Sequence, residues 1–326
     1  MKTMKKLSIL IIIFCTLSCS KDDSSKDEES NAAVKDIYVC GYEKKSTTGR
    51  FIATVWKNGI ATSLTDGTNN AVANDVAVSG NDVYVVGFQE DANGVQTARL
   101  WKNGVQASLV TTPGSLANKV VLNGDDVYIL GRAIENNSYV QKIWKNGVVS
   151  KLQGDRRSIA VNNNNVYTVG IQDERARVWT NETGSSLTTG DSYSAAHDIE
   201  VRGNDVYIAG VEVVNKISVA KLWKNGIAST LSDGKFTTVA INISITGNDV
   251  YILGYENNLV TSYKVWKNGE VIWKDDFSSN DLKAVGQDFY LLNNTGQSAK
   301  IVKNGVPENL SSALNSSANA LFITTN

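Results

Sequence analysis

Seven copies of one unit run through most of the chain. Each copy contains a tyrosine, usually preceded by Asp-Val or Asp-Ile, and these are Tyr38, Tyr84, Tyr128, Tyr167, Tyr207, Tyr251 and Tyr290. Successive tyrosines are 46, 44, 39, 40, 44 and 39 residues apart. Periods in this range are typical of arrays in which each unit buries its apolar surface against its neighbours. The repeat therefore predicts an array of similar units.

Two further positions recur in the units. Six copies have a glycine three residues after the tyrosine: Gly41, Gly87, Gly131, Gly170, Gly210 and Gly254. Six copies then reach a tryptophan, and the last has Val302 instead: Trp56, Trp101, Trp144, Trp179, Trp223 and Trp266. Five of these tryptophans begin the sequence Trp-Lys-Asn-Gly. We interpret the tryptophan as a packing residue between units.

Each unit is expected to form four short antiparallel strands. In the second copy these are residues 75–79, 82–87, 97–101 and 105–110, with hairpin turns at Gly80-Asn81 and Asn103-Gly104. The second strand alternates Val83 and Val85 with Tyr84 and Val86, so it is apolar on both faces. Such a sheet must be covered on both sides, which stacking of the units achieves.

These features resemble those of the β-propeller superfamily over residues 36–326. The repeat length and the tryptophan near the end of the third strand are similar to WD40 repeats, but Trp-Lys replaces Trp-Asp and the Gly-His element is missing. Kelch repeats share the tyrosine and tryptophan but carry a double glycine that this chain lacks. The resemblance implies an all-β, seven-bladed β-propeller with four-stranded blades. A β-helix is the structural alternative.

The two ends of the repeat array complement each other. Residues 318–326 match residues 73–81, and Asp36-Ile37-Tyr38 supplies the continuation that Asp82-Val83-Tyr84 supplies in the second copy. The C-terminal strand is therefore expected to join the first blade and close the ring, which leaves no open sheet edge at the seam.

The N-terminus has the features of an export signal. Lys2, Lys5 and Lys6 precede an apolar run over residues 7–17, which is too short for the roughly 20 residues of a membrane-spanning helix. Ser18-Cys19 resembles the end of a bacterial lipobox, which implies a signal peptide over residues 1–18 and a lipid on Cys19. An ordinary secretory signal is the alternative.

The residues after Cys19 extend this prediction. Residues 19–35 are polar and acidic, a composition that favours a flexible tether between the lipid and the folded domain. Lys21, Asp22 and Asp23 resemble the surface-export signal of lipoproteins of the Bacteroidota type, although a chance match is the alternative. These features predict an outer-membrane protein that is held to the lipid bilayer and faces the cell surface.

Candidate ligand-binding residues lie ten positions before the repeat tyrosines, at the start of the innermost strands. They are Asn74, Asn118, Arg157, His197 and Asn280, with Asn319 in the closing strand. The corresponding position of the sixth copy is Ile241. Together they are expected to form a polar funnel for a glycan or protein ligand. The alternative is that the asparagines only cap turns.

Composition argues against several classes of function. The net charge of −1 speaks against a nucleic-acid partner, and one His with three Cys leaves no basis for a zinc cluster or another cofactor. We expect a binding or scaffold protein and not an enzyme. Two alternatives stay open: a calcium-assisted, lactonase-like hydrolase at the funnel, although no acidic partner of the asparagines is expected on the inner strands, and a structural subunit of an outer-membrane complex.

Overall fold

A computed structural model describes residues 33–46, 49–294, 298–310 and 315–326. The described residues form seven four-stranded antiparallel sheets. Blade one consists, from the inside outwards, of β28 (Ser317–Thr325), β1 (Val34–Lys44), β2 (Phe51–Lys57) and β3 (Ile60–Ser63). Blade two consists of β4 (Ala71–Ser79), β5 (Asp82–Glu90), β6 (Gln96–Lys102) and β7 (Val105–Ala107).

The other five blades follow in chain order with the same arrangement. Blade three contains β8 (Ser115–Asn123), β9 (Asp126–Glu135), β10 (Ser138–Lys145) and β11 (Val148–Lys151). Blade four contains β12 (Asp155–Asn162), β13 (Asn165–Gln172), β14 (Arg175–Thr180) and β15 (Thr183–Ser186). Blade five contains β16 (Ser194–Arg202), β17 (Asp205–Val214), β18 (Ile217–Lys224) and β19 (Ile227–Thr230). Blade six contains β20 (Thr237–Thr246), β21 (Asp249–Asn258), β22 (Val260–Lys267) and β23 (Glu270–Asp275), and blade seven contains β24 (Leu282–Val285), β25 (Asp288–Asn293), β26 (Lys300–Lys303) and β27 (Val306–Asn309).

The architecture confirms the predicted seven-bladed β-propeller and its closure. β28 pairs antiparallel with β1, with Tyr38 opposite Phe322 and Gly41 opposite Ala318. In blade two the equivalent partners are Tyr84 with Ala77 and Gly87 with Ala73, so the closing strand keeps the register of the repeat. Within the described part of the chain there is no helix long and apolar enough to cross a membrane.

The strands differ from the predicted ones mainly at their ends. The first strand of blade two begins at Ala71 instead of residue 75, and its fourth strand ends at Ala107 instead of residue 110. β1 likewise begins at Val34, two residues before the predicted domain boundary. The inner strand is longer because its pairing with the second strand continues past an irregularity that alternation alone does not reveal.

The repeated tryptophans fill the spaces between blades, as expected from the sequence. Trp101 of blade two packs against Val55 and Leu64 of blade one, and Trp223 of blade five packs against Val169 of blade four. In blade seven Val302 takes this position against blade six. All seven side chains are buried. In these blades the repeated residue therefore depends on the neighbouring blade for its burial.

The Asp-x-Tyr and Lys-Asn-Gly elements form one local network within a blade. In blade two, Asn103 accepts a hydrogen bond from the Val83 amide (2.8 Å) and donates one to Asp82 (2.8 Å). Lys102 forms an ion pair with Asp82 (2.7 Å) and lies 5.0 Å above the Tyr84 ring. Asn103 has a φ of 52°, which the Asn-Gly turn requires.

Five other blades repeat this network with the same residue types. Only blade four departs from it, because Asn165 stands in place of the aspartate and Thr180 in place of the lysine, while Asn181 keeps both hydrogen bonds. Blade four thus lacks both the aspartate and the lysine of the ion pair. The network explains why these residues recur: they join the start of the second strand to the hairpin between the third and fourth strands.

The repeated glycine allows a close approach between the first two strands. A Cβ at Gly87 would lie 1.9 Å from the Val72 carbonyl oxygen, so no other residue fits without moving the backbone. In blade seven, where Asn293 replaces the glycine, β24 begins only at Leu282. The crowded carbonyl belongs to the irregular part of the inner strand, which is also where the candidate site begins.

Candidate functional site

Most of the predicted site residues lie at β-bulges of the innermost strands. In six blades one residue is left out of the pairing between the first two strands: Asn74, Asn118, Arg157, His197, Ile241 and Asn319. Asn280 lies just before β24 in the seventh. A bulge redirects the side chain of its extra residue. The structure thus brings the predicted residues to the same end of the ring, which we call the loop end because the loops between the second and third strands lie there.

Four of these side chains donate hydrogen bonds to the backbone of the next blade. Asn74 donates to the Ala117 carbonyl, His197 Nδ1 donates to the Ala240 carbonyl and Asn319 donates to the Ala73 carbonyl, each at 2.8 Å. Asn280 makes a longer bond of 3.3 Å to the Ala318 carbonyl. Arg157 instead contacts Asp155 of its own blade at 3.3 Å. These bonds match neither a free polar funnel nor the alternative of local turn capping: the side chains connect neighbouring blades and so stabilise the ring.

A second ring of polar residues, which the sequence analysis missed, follows immediately along the chain. One residue after each bulge position lie Asp75, Lys119, Ser158, Asp198, Asn242, Asp281 and Ala320. Five of them are buried polar side chains: Asp75, Ser158, Asp198, Asn242 and Asp281. The expectation that no acidic residue accompanies the asparagines on the inner strands was wrong. In the sequence, the aspartates that directly follow Asn74 and Asn280 could have indicated this second ring.

The aspartates of this ring satisfy the open inner edge of the adjoining blade. Asp75 accepts the Val120 amide (2.8 Å), Asp198 accepts the Ile243 amide (3.0 Å) and Asp281 accepts the Leu321 amide (2.6 Å). An innermost strand has no strand beside it towards the axis, so these amides need other acceptors. Carboxylates are strong acceptors for them.

Further polar side chains continue this arrangement along the same strands. Ser158 donates to Asp198 (2.6 Å), and Glu200, two residues beyond Asp198, accepts the Ile245 amide (3.0 Å). Ser244 in turn accepts the Ala284 amide (3.0 Å). The inner strands therefore present polar atoms at several levels along the axis of the ring.

These strands surround a central cavity of about 570 Å³. Its charged lining residues are Asp75, Lys119, Asp198, Glu200, Asp281 and Lys283. The lining extends along the inner strands to Ser79 and Gly124, at the turns between the first and second strands. The bulge residues do not line it. The candidate site therefore starts one residue further along each strand than the sequence predicted.

The charges inside the cavity influence one another strongly. Burial opposes protonation of Lys119, but the carboxylates of Asp75, Asp198 and Asp281 outweigh it and raise the pKa of this lysine. The pKa of Lys283 is raised for the same reason by Asp281, Glu200 and Asp198. Both lysines therefore stay charged.

Burial by itself lowers the pKa of a lysine, but it raises the pKa of an acid. Burial raises the pKa of Asp75 and raises that of Glu200 to about 7, although Lys119 and Lys283, respectively, act against it. Burial lowers the pKa of His197 at the bulge, and nearby Arg157 adds to that effect. The cavity thus combines permanent positive charge with one carboxyl that titrates near neutral pH.

Several smaller predictions can be placed on the structure. Cys40 is a buried free thiol in the core between blades one and two, and burial raises its pKa. Tyr42 and Tyr255 are half-buried and pack on rings of the neighbouring strand, Phe51 at 4.5 Å and Tyr263 at 5.8 Å. Among the residues described, no group of three or more His, Cys, Asp or Glu could hold a metal ion. Cys19, Lys21, Asp22 and Asp23 lie outside the described residues.

Comparisons with known proteins extend to structure but not to sequence. No protein-family model matches the chain, and no curated protein matches it. A puromycin-hydrolyzing peptidase of Mycobacterium tuberculosis is similar with a TM-score of 0.54 and 11% identity, over 87% of this chain and 54% of that chain. This chain thus spans about half the length of that peptidase.

A second similar structure is the β-propeller domain of the trilobed protease from Pyrococcus furiosus. It has a TM-score of 0.48 and 12% identity, over 73% of this chain and 83% of that chain. At identities this low, likeness shows only the fold. The sheet topology of the described residues itself shows a seven-bladed β-propeller.

Proposed function

We propose that this protein is a lipid-anchored binding module of the outer membrane, exposed at the cell surface, which takes a polar ligand such as a glycan unit in its central cavity. The cavity with its charged lining carries the proposal. Its volume of about 570 Å³ lies within the usual range of small-molecule sites, roughly 300–1,000 Å³. Four carboxylates and two lysines offer acceptors and donors for a hydroxylated ligand.

The lysines are the groups most available to a ligand. Asp198 and Asp281 use both carboxylate oxygens for bonds within the protein. Lys119 and Lys283 line the cavity, and no described side chain lies within ion-pair distance of either ammonium. A ligand that brings acceptors to these two ammonium groups would replace water without breaking the contacts between blades.

A binding screen on residues 33–326 tests the proposal. Glycans and other polar small molecules are screened by thermal shift, and each hit is measured by calorimetry. We expect Lys119→Met and Lys283→Met each to weaken binding at least about tenfold, since a lost hydrogen bond to a charged group is worth roughly 1.5–3 kcal/mol. Lys216→Met, at an exposed loop outside the cavity, is the matched control. If the hits bind both cavity variants with unchanged affinity, the binding site lies outside the cavity.

The lipid anchor is tested separately at Cys19. Cys19→Ala should leave the protein soluble and unlabelled by a palmitate analogue, because the thiol that receives the lipid is gone. The neighbouring Ser20→Ala is the control and should keep the label. Label that persists in Cys19→Ala would end the anchor assignment.

Surface exposure is tested through Lys21, Asp22 and Asp23. Replacing all three with Ala should retain the anchored protein on the inner side of the outer membrane. Protease added to whole cells should then cleave the parent protein but not the variant. Replacing Ser24, Ser25 and Lys26 with Ala is the matched control. Equal cleavage of variant and parent would contradict a role of this motif in surface export.

A protein ligand at the loop end is the second candidate, favoured by one observation. The hairpin tip of blade six exposes Leu259 completely, and this residue has a φ of 57°, which is unfavourable for leucine. Strain of this kind can mark a functional position. Leu259→Gly should remove both the apolar surface and the strain, so loss of a co-purifying outer-membrane protein together with a raised melting temperature would favour this candidate.

The hydrolase alternative predicts bound calcium. Elemental analysis of the purified protein, followed by hydrolysis assays with and without a chelator, distinguishes it from a binding module. A stoichiometric metal whose removal abolishes turnover would favour the enzyme.

A further inference from the structure

We propose that the end of the propeller opposite the loop end rests on the lipid bilayer through a ring of exposed aliphatic side chains. We call this end the hairpin end, because the Asn-Gly turns lie there. The inference builds on the proposed lipid anchor, and it adds the surface of the folded domain that contacts the membrane.

The ring consists of the residues that directly follow the Asn-Gly turns. Five of the seven blades have Ile or Val at this position, with 64–76% of the residue exposed: Ile60, Val105, Val148, Ile227 and Val306. Blades four and six have Thr183 and Glu270 instead. In blades one, two and five the other residues of these outermost strands are polar or small, whereas Val149 adds exposed apolar surface in blade three. The aliphatic residues are thus exposed apolar side chains held at one level of the ring.

The lysines next to the ring are compensated by aspartates of the protein, whereas Glu270 at the ring position of blade six is exposed. Each of these aliphatic residues pairs across its hairpin with a lysine: Lys57, Lys102, Lys145, Lys224 and Lys303. Each lysine forms an ion pair with an aspartate of its own blade at 2.7–2.9 Å. Paired charges neither repel nor strongly attract anionic headgroups. Apolar contact should therefore dominate, and the association should respond weakly to salt.

The described chain begins at this same end. The Ile37 amide donates to Asn58 Oδ1 (2.8 Å), and the Asn58 amide donates to the Ile37 carbonyl (2.8 Å). Asn58 belongs to the Asn-Gly turn that precedes Ile60. The described chain therefore begins beside the ring.

Because the connection between Cys19 and the domain is short, even a surface with low affinity for lipid is sufficient for contact with the bilayer. Only 13 residues lie between Cys19 and Ala33, and a flexible polar chain of that length has an end-to-end distance of roughly 20 Å. A lipidated Cys19 would hold the ring near the bilayer at high effective concentration, so that contact becomes an intramolecular event. The loop end, with Leu259 and Tyr139, then faces away from the membrane.

The experiment measures the polarity around labels at the two ends. The lipidated full-length protein is reconstituted into vesicles of phosphatidylethanolamine and phosphatidylglycerol, in a Cys40→Ala background. A polarity-sensitive fluorophore is attached after Thr183→Cys, which occupies the ring position without removing an aliphatic residue. The loop-end control is Ser192→Cys; both parent residues are exposed. We expect a blue shift and several-fold stronger quenching by lipid-borne quenchers at position 183 only, with little change in high salt.

A multiple variant tests the ring itself. Replacing the five aliphatic residues with Asp should return the label at position 183 to the aqueous signal. Replacing Val95, Val110, Val214, Leu259 and Val260 at the loop end with Asp is the matched control and should leave the signal unchanged. Melting temperatures confirm that both variants fold.

Vesicle flotation of the same samples separates this inference from the anchor. Protein that does not float contradicts the anchor. Protein that floats with position 183 in water, or with position 192 in lipid, overturns the contact of the hairpin end.

Discussion

Asn103 shows how one side chain can connect distant parts of a blade. It sits in a turn with positive φ and bonds both the Val83 amide and the Asp82 carboxylate. The equivalent asparagines make the same bonds in the other blades, including blade four, where the Asp–Lys ion pair is absent. The asparagine is thus the constant member of the network.

Asn103→Ala should destabilise the protein by about 2–4 kcal/mol. The left-handed conformation costs alanine roughly 1–2 kcal/mol, because alanine lacks the polar side chain that lets asparagine adopt it, and the lost hydrogen bonds contribute roughly 1 kcal/mol each. Asn103→Gly is the control, because glycine accepts this φ and loses only the hydrogen bonds. Urea denaturation measures both variants, and equal stabilities of Asn103→Ala and the parent would contradict the role of the network.

Glu200 makes stability depend on pH in an unusual direction. Burial raises its folded pKa to about 7, so between its ordinary value of 4.5 and 7 the folded state binds more protons than the unfolded state. Stability from this group is therefore full at low pH and is lost as pH rises through 7. The free energy of unfolding of the parent, relative to Glu200→Gln, should fall by up to about 3 kcal/mol between pH 5 and 8.

His197 supplies the control of opposite sign. Its folded pKa is lowered by burial, so its contribution is present at high pH and lost as pH falls below 6.5. His197→Asn keeps an inter-blade donor, as Asn74 shows, and removes the titration. The stability of the parent relative to this variant should rise with pH. Parallel pH profiles for both variants would contradict these assignments.

At the scale of strands and blades, the sequence predicted the number and packing of the blades better than it predicted the residues of the candidate site. The repeat spacing and the Trp and Gly positions predicted seven blades and a tryptophan that packs between them, because these signals depend only on residue type and period. The bulge has no such signature, since Asn, Arg, His and Ile all occupy it. One extra residue there changes which positions approach the axis, so Asn74 was chosen where Asp75 lines the cavity.

The packing between blades is tested by Trp101→Val. Blade seven carries valine at this position and buries it completely, so the backbone accepts the residue. Against blade one, however, the smaller side chain leaves a cavity, and we expect a loss of about 2–4 kcal/mol in the free energy of unfolding. Trp273→Val, at a half-buried tryptophan of an outermost strand, is the control and should cost less. Denaturation curves with an unchanged midpoint for Trp101→Val would refute the packing role.

At the scale of the whole molecule, closure and orientation depend on the same seam. β28 brings the C-terminal residues beside the start of β1, where the Asn326 amide donates to the Ala33 carbonyl (3.1 Å). Leu321 and Ile323 pack towards blade seven, and Phe322 packs towards blade two. The strand thus connects both neighbours of blade one and places the N-terminal segment at the hairpin end.

Deleting residues 317–326 should therefore destabilise the entire ring and not only its end. Full burial of one large apolar side chain contributes about 1.5–3 kcal/mol, so loss of Leu321 and part of Phe322 and Ile323 approaches the roughly 5–15 kcal/mol stability of a domain. The deletion also removes the Asp281 and Asn319 bonds across the seam and exposes the edge of β1 to aggregation. We expect insoluble protein or a melting temperature lowered by many degrees. A circular permutant that joins residue 326 to residue 33 through a short linker and opens the chain at the exposed Gly94 keeps every strand that the structure describes and should melt near the parent. Near-parental melting of the truncated protein would show that the ring does not depend on this strand.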